Sequence, residues 1–251
     1  MPEPPGLPRP NIYTPRWFAT FLDRLPPEYT DLDVAAVQVR LPRVRFGRIL
    51  DLCCGAGRHA AQLARLGYRV TGIDRDRAAL SLARDRTPTA TFHCMDMRTI
   101  SQLGEQFDGV LSIWQSFGFF SSRENDQVLR DIWACLRPGG RFLLDVFHAE
   151  YFRGHQGKRS TLPTGVASVG DRITGDRLRS RITYDDGLEE IMDFEIFTPE
   201  QLSARAGGGG FRARRIVLLV GSGASSRSRA AAVPVDPRAS DDLISSRARR
   251  G

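Results

Sequence analysis

The stretch Ile49-Leu-Asp-Leu-Cys-Cys-Gly-Ala-Gly-Arg-His-Ala60 joins an apolar run to a glycine loop and then to a helix start. Arg48 to Cys54 reads as a short buried strand, and Arg58 to Leu66 reads as a helix ended by Gly67. Between them, Gly55-Ala-Gly57 allows a tight turn and a close approach of backbone to ligand. Dinucleotide-binding proteins use a similar loop, so the glycines alone do not fix the ligand. Asp51 separates the readings. At the strand end just before the loop, its carboxylate repels a pyrophosphate but not a cationic sulfonium or ammonium ligand.

Working toward the C-terminus, strand and helix alternate. Tyr68 to Asp74, Thr89 to Cys94, Phe107 to Trp114 and Arg141 to Phe147 read as strands. Arg77 to Arg84 and Glu124 to Leu136 read as helices, the second with Val128, Leu129, Ile132, Trp133 and Leu136 inward. Alternation of this kind predicts an α/β fold, a doubly wound and mostly parallel sheet covered on both faces. Asp51, Asp74, Asp96 and Trp114 then end strands on one edge, where doubly wound folds place ligands. Asp74 follows Gly57 at a spacing that suits a carboxylate accepting both ribose hydroxyls. Asp96 beside Met97 suits the amino edge and the face of an adenine.

Taken together, Ile49 to Ala60, Val70-Thr-Gly-Ile-Asp74, Asp96-Met-Arg98, Phe107 to Trp114 and Leu136-Arg-Pro-Gly-Gly-Arg-Phe-Leu-Leu-Asp145 resemble the ordered motifs of class I S-adenosylmethionine-dependent methyltransferases. Ser116-Phe-Gly-Phe-Phe120 resembles a small-molecule branch of that family. The resemblance covers roughly residues 12–212. It implies a Rossmann-like fold with S-adenosyl-L-methionine as cofactor. It places Gly55 and Gly57 under the methionine part, Asp74 at the ribose, and Asp96 and Met97 beside the adenine. Asp51, Ala56, Arg75 and Trp114 complete the expected cofactor-binding set. The chain departs from the family pattern at Cys53, where the loop often has its first glycine. Nothing after 211–220 resembles the last strand of the usual antiparallel sixth and seventh pair.

Outside that core, Ile12 to Leu25 sets Trp17, Phe18, Phe21, Leu22 and Leu25 at helical spacing, with Thr14 as cap and Pro15 in the first turn. Pro26-Pro27 stops it, and a second helix is expected over 31–40. Residues 148–171 read as irregular. Leu178 to Tyr184 and Leu188 to Phe197 flank Asp185-Asp-Gly187, a hairpin signal. The expected layout is a flexible 1–11, a methyltransferase domain over 12–220 with core 45–147 and a cap or insertion over 148–197, and a disordered basic tail over 221–251. The fold expectation thus includes N-terminal helices and a small antiparallel hairpin insertion.

Composition bounds the function. Residues 1–204 carry 26 basic and 26 acidic side chains, so the whole net charge of +7 lies in residues 205–251. Basic charge held off the folded body speaks against a nucleic-acid acceptor. So does Ile113-Trp-Gln-Ser116, which is not the Asn/Asp-Pro-Pro-Tyr of amino-methylating nucleic-acid enzymes. No apolar run reaches the ~18 residues of a membrane span. Cys53, Cys54, Cys94 and Cys135 form neither a disulfide framework nor a Cys-x-x-Cys metal motif, which suggests the cytoplasm and no metal.

The reading is a methyltransferase acting by in-line displacement on N, O or C of a small acceptor. The alternatives are a nucleic-acid methyltransferase using the basic tail and a non-catalytic cofactor-binding protein on the same fold. His148, after the fifth strand, is the candidate general base, against a solvated loop histidine. Tyr151 and Tyr184 are weaker candidates. Tyr13, Arg16 and Trp17 are either a packed helix face or a lid over the cofactor. Oligomeric state is not legible in the sequence.

Overall fold

The structure, a computed structural model, describes residues 11–23, 25–147, 149–157, 159–161, 167–207 and 215–221. Helix α1 (Pro15–Phe21) begins at Thr14, whose hydroxyl accepts the Trp17 N–H. Pro15 sits in its first turn, where the missing donor costs nothing. Pro27 then opens α2 (Pro27–Arg40), earlier than the expected 31–40, for the same reason.

From there the expected alternation is present: β1 (Arg48–Leu52), α3 (Arg58–Arg65), β2 (Arg69–Asp74), α4 (Arg77–Arg86), β3 (Thr91–Cys94), a 3-10 turn (Met97–Leu103), β4 (Phe107–Ser112), α5 (Ser122–Cys135) and β5 (Leu136–Phe147). Helix α5 starts earlier than its apolar spacing suggests, because Ser121 and Glu124 form a reciprocal capping box. Strand β4 ends at Ser112, so Trp114 lies beyond the strand.

Alternate residues of the strands feed two cores. Leu50, Leu52, Ile73, Val110, Phe142 and Leu144 pack against Val128, Leu129, Ile132 and Trp133 of α5. Ile49, Val70, Leu111 and Leu143 face Val34 and Val37 of α2, Leu63 of α3 and Leu80 of α4. This two-sided burial, worth roughly 1.5–3 kcal/mol per large side chain, keeps the sheet in register. β1 pairs in parallel with β2 on one side and β4 on the other. The order in which strands are added thus switches sides between β1 and β4, the point where doubly wound sheets place a ligand crevice.

The segment after β5 corrects two expectations. Residues 148–171 are not irregular throughout: they contain α6 (Ala149–His155), β6 (Arg159–Thr161) and most of β7 (Ala167–Thr174). With β8 (Arg177–Tyr184) and β9 (Glu189–Glu195) they form a four-stranded antiparallel sheet, more than the small hairpin expected. β7 escapes detection because its inward side chains, Val169, Asp171 and Ile173, include a carboxylate. Asp171 is accommodated by the Ser180 hydroxyl opposite it, 2.5 Å away.

Helix α7 (Pro199–Gly207) leads to β10 (Arg215–Gly221), the observed form of the strand expected at 211–220. β10 lies beside β5 and parallel to it, giving the order β10-β5-β4-β1-β2-β3. Among the described residues all pairs in this sheet are parallel. The expected tail lies outside the described residues except for Gly221, which ends β10. Of the segment expected to be flexible, Asn11 is described and is held. Its N–H bonds Ile191 O at 2.8 Å, and its side chain bonds the Asp193 backbone at 2.6 and 2.7 Å.

A buried carboxylate at the end of β9 ties the antiparallel sheet to α5 and α7. Glu195 is 3% exposed and accepts from Ser122 Oγ (2.8 Å), Asn125 Nδ2 (2.7 Å) and Arg205 Nη2 (2.6 Å). Burial raises its carboxyl, but the bonds from Arg205, Asn125 and Ser122 outweigh that and hold it below the usual range. The Glu195 N–H bonds Gly118 O at 2.7 Å. Gly118 has φ +106°, and a Cβ there would lie 2.6 Å from Glu195 O. Gly118→Ala is therefore expected to cost about 2–4 kcal/mol, through backbone strain and overpacking together. Urea denaturation checks this; an unchanged midpoint contradicts it.

Candidate active site

The C-terminal ends of the six parallel strands form the upper edge of this sheet. The loop after β1 turns by left-handed residues: Cys53 has φ +56°, Gly55 +54° and Gly57 +72°. Gly57 has no room for a side chain, since a Cβ would lie 2.9 Å from Ala83 Cβ of α4. Gly55 is different. A Cβ there would meet nothing within 4 Å, so open space lies above it. Ala56 lies between them, its carbonyl accepting from Arg86 at 3.0 Å.

Asp74, at the end of β2, fixes this loop. Its Oδ2 accepts the Gly55 N–H at 2.8 Å and its Oδ1 accepts the Asp76 N–H at 2.9 Å. Each oxygen keeps a second acceptor position, so the carboxylate can hold the loop and still receive two hydroxyls. Arg75 beside it donates to Asn11 O at 3.0 Å, which ties β2 to the segment before α1.

Asp51 is 2% exposed, and its Oδ2 has no hydrogen-bond partner among the described residues. Burial, with the Asp74 charge adding to it and Arg58 opposing it, pushes its carboxyl up to about 7. A buried, orphaned carboxylate oxygen close to an open glycine calls for a donor or cation from outside the chain. S-adenosyl-L-methionine, with a sulfonium, an ammonium and a ribose diol, fits these groups.

Asp96 and Met97 divide. The Asp96 carboxylate caps the 3-10 turn through the Arg98 N–H (2.9 Å) and pairs with the Arg98 guanidinium (2.8 Å). Those bonds hold it below the usual carboxylate range despite partial burial. Met97 is buried in the core, its sulfur 4.0 Å from Cys53 Sγ. Trp114 points its ring outward to α2 and α3. Its indole N–H donates to Asp33 Oδ2 at 2.7 Å, and the Arg58 guanidinium lies 4.5 Å over its ring. His148, the expected general base, lies outside the described residues.

The sequence reading missed Asp33, Arg58, Asp145 and Phe119. Asp33 also accepts from Arg58 and contacts His59 Nε2 at 3.0 Å. Asp145 is buried on β5, and its signal was present: it ends an apolar strand as Asp51 does.

Helix α1 and the residues leading into it pack on the antiparallel sheet. Tyr13 stacks edge-on against Trp17 (4.5 Å) and Phe119 (5.8 Å), and Phe119 meets Phe194 of β9 (5.8 Å). Burial, then the Cys53 and Asp74 charges with Arg75 opposing, pushes the Tyr13 phenol far above its usual range. Its hydroxyl lies within electrostatic reach of Cys53 in the glycine loop and of Asp74 and Arg75 at the end of β2. Thr14 donates to Glu190, and Arg16 pairs with Asp185 and Asp186 and lies 4.2 Å over the Tyr184 ring. The helix is thus held to the antiparallel sheet, and Asn11 ahead of it is held to Arg75 beside Asp74.

A Rossmann-like sheet with an open glycine, a ribose-ready carboxylate and an orphaned acid defines a nucleoside-cofactor enzyme. Comparison with known proteins narrows the class. A family model described as "Methyltransferase domain" matches residues 49–140. The dTDP-3-amino-3,6-dideoxy-alpha-D-glucopyranose N,N-dimethyltransferase of Streptomyces fradiae is 35% identical over 184 residues, 67% of this chain and 71% of that one. The putative methyltransferase YqeM of Bacillus subtilis is 36% identical over 105 residues, and the chain spans 42% of its length. In fold, the chain is similar to CalS10, an amino pentose methyltransferase from Micromonospora echinaspora. The TM-score is 0.60 at 23% identity, covering 79% of this chain and 91% of that one. The chain belongs to the class I S-adenosylmethionine-dependent methyltransferases. Among the described residues no helix is long and apolar enough to cross a membrane.

The raised Asp51 carboxyl makes a signed prediction. A carboxyl whose pKa is raised on folding stabilises the apo-protein below about pH 4, and that contribution is lost as pH rises through about 7. Asp51→Asn should therefore stabilise the apo-protein at pH 8, by on the order of 2 kcal/mol, with little effect at pH 4. The same variant should lose the gain in S-adenosylmethionine affinity that ionised Asp51 supplies as pH rises from 6 to 8. Chemical denaturation and calorimetry check both; pH-independent differences contradict the assignment.

Proposed function

We propose that the enzyme methylates the amino group of a small amine, with nucleotide-linked amino sugars as the leading class. The observation that carries a small acceptor is the aromatic cover. Trp17, Tyr13, Phe119 and Phe194 run as touching rings from α1 to β9, and Tyr13 lies within electrostatic reach of Cys53, Asp74 and Arg75 at the sheet edge. A cover of this kind suits a compact acceptor and obstructs a duplex or a folded RNA. Nitrogen is favoured by the Streptomyces fradiae relative, named for dimethylation of an amino sugar. Carboxylates at the same edge, Asp51 and Asp74, would attract a protonated amine, which gives up a proton to water before its nitrogen attacks the methyl group.

In this reading residues 12–220 act as one methyltransferase domain, with 148–197 capping the acceptor. Gly55, Ala56 and Gly57 lie under the methionine part of the cofactor, with Asp51 at its cationic groups. Asp74 holds the ribose diol, while Arg75 fixes the segment before α1. Asp96 meets the adenine edge, with Met97 in the core beneath it, and Trp114 supports the loop from behind. When bound, S-adenosyl-L-methionine supplies an electrophilic methyl group on a sulfonium. The chain aligns the acceptor nitrogen and excludes water, and Tyr13 closes the cover. An amine bound in its neutral form needs no protein base.

Labelled-methyl transfer to a panel of nucleotide-linked amino sugars and their hydroxyl counterparts tests the reading. The expected outcome is mono- and dimethylamino products, seen by mass spectrometry, with the hydroxyl counterparts at least a hundredfold slower. Methylation of hydroxyls or of tRNA, with none of the amines, contradicts it.

A further inference from the structure

Trp114 and Gln115 are consecutive non-glycine residues with left-handed backbones, at φ +67° and +53°. Side chains disfavour this region, and such conformations persist only where surrounding contacts fix them. Here the contacts converge on two carboxylates. Asp145 Oδ2 accepts the Trp114 backbone N–H at 3.0 Å and the Gln115 side-chain amide at 3.0 Å. Asp33 Oδ2 accepts the Trp114 indole N–H at 2.7 Å.

The turn links the two halves of the edge. Behind it, the Trp114 ring lies against Arg58, the first residue of α3, which follows Gly57 directly. Arg58 donates to Thr30 at 2.8 Å and its charge acts on Asp51. Ahead of it, Phe117 to Phe120 carries Phe119 to the Tyr13 ring. A strained turn between the cofactor loop and the aromatic cover therefore sets their relative placement.

We infer that Asp145 is a positioning residue for methyl transfer: it holds the Trp114–Gln115 turn in its left-handed form, and Asp33 anchors the ring that turn presents. The inference rests on the reading of this edge as the methyl-transfer site. Asp145 acts as a hydrogen-bond acceptor for the turn and exchanges no proton with the acceptor molecule.

The test uses the full chain with Asp145→Ala, Asp145→Asn and the double variant Asp145→Ala/Gln115→Gly. Asparagine keeps an acceptor oxygen, so its transfer rate to an amino-sugar nucleotide should stay within threefold of the parent. Alanine removes the acceptor and leaves the strain, so it should lose at least tenfold. Glycine at 115 removes strain, so the double variant should recover at least a third of the parent rate. Tryptophan emission follows the turn without any acceptor molecule. It should shift to the red in Asp145→Ala alone, and the shift should vanish when Trp114→Phe is added.

Asparagine falling as far as alanine would make Asp145 a proton acceptor or a charge, not a positioning residue. Alanine at the parent rate with parent emission would also overturn the inference. A parent chain that binds S-adenosylhomocysteine but methylates no amine refutes the acceptor reading, and the emission series still decides this one. Should Asp145→Ala not fold, Gln115→Ala and Gln115→Gly give the same comparison. Glycine should shift emission less and retain at least fivefold more rate than alanine; equal behaviour overturns the inference.

Discussion

The hydrogen bond from the Gly55 N–H to Asp74 Oδ2, 2.8 Å long, is the contact on which the upper edge depends. It closes a loop whose residues 53, 55 and 57 are all left-handed. It also orients a carboxylate that would otherwise swing into solvent at the end of β2. The loop leads into α3, whose first residue carries Arg58 to Asp33 and Trp114. One backbone donor and one strand-end acid thus fix the glycine cradle, the start of α3 and the ring behind it.

Around that contact the edge is built from acids in unequal surroundings. Asp96 is paired with Arg98 and held low, whereas Asp51 is buried beside Asp74 and pushed up to about 7. Glu195 is buried too, yet four donor groups keep it ionised and make it a structural node. Burial alone therefore does not mark a binding group. What distinguishes Asp51 is a buried oxygen without a partner among the described residues, the condition that a ligand's donor would satisfy.

The parallel core was legible in the sequence because its signals are local. Ile49, Leu50 and Leu52 surround Asp51 near the end of β1, Val70 and Ile73 lead to Asp74 at the end of β2, and Gly55 and Gly57 mark the loop between strand and helix. Asp51 and Asp74 could be named for the same reason. The partnership of Trp114 with Asp33 could not, since 81 residues separate them and nothing at Asp33 announces it. The antiparallel sheet was half visible: Asp185-Asp-Gly187 marked the β8–β9 turn, but β6 and β7 are polar and pair mainly through backbone. Asp145 could have been found by the rule applied to Asp51, an acid closing an apolar strand.

In the proposed function, the Asp74-held loop after β1 is the cofactor cradle and Tyr13 closes over it. A crystal structure of the chain with S-adenosylhomocysteine decides this. Both ribose hydroxyls are expected on Asp74, the amino-acid end above Gly55 within reach of Asp51, and Tyr13 over the ligand. A nucleoside bound away from Asp74, or an amino-acid end with no contact to the 53–57 loop, would contradict it.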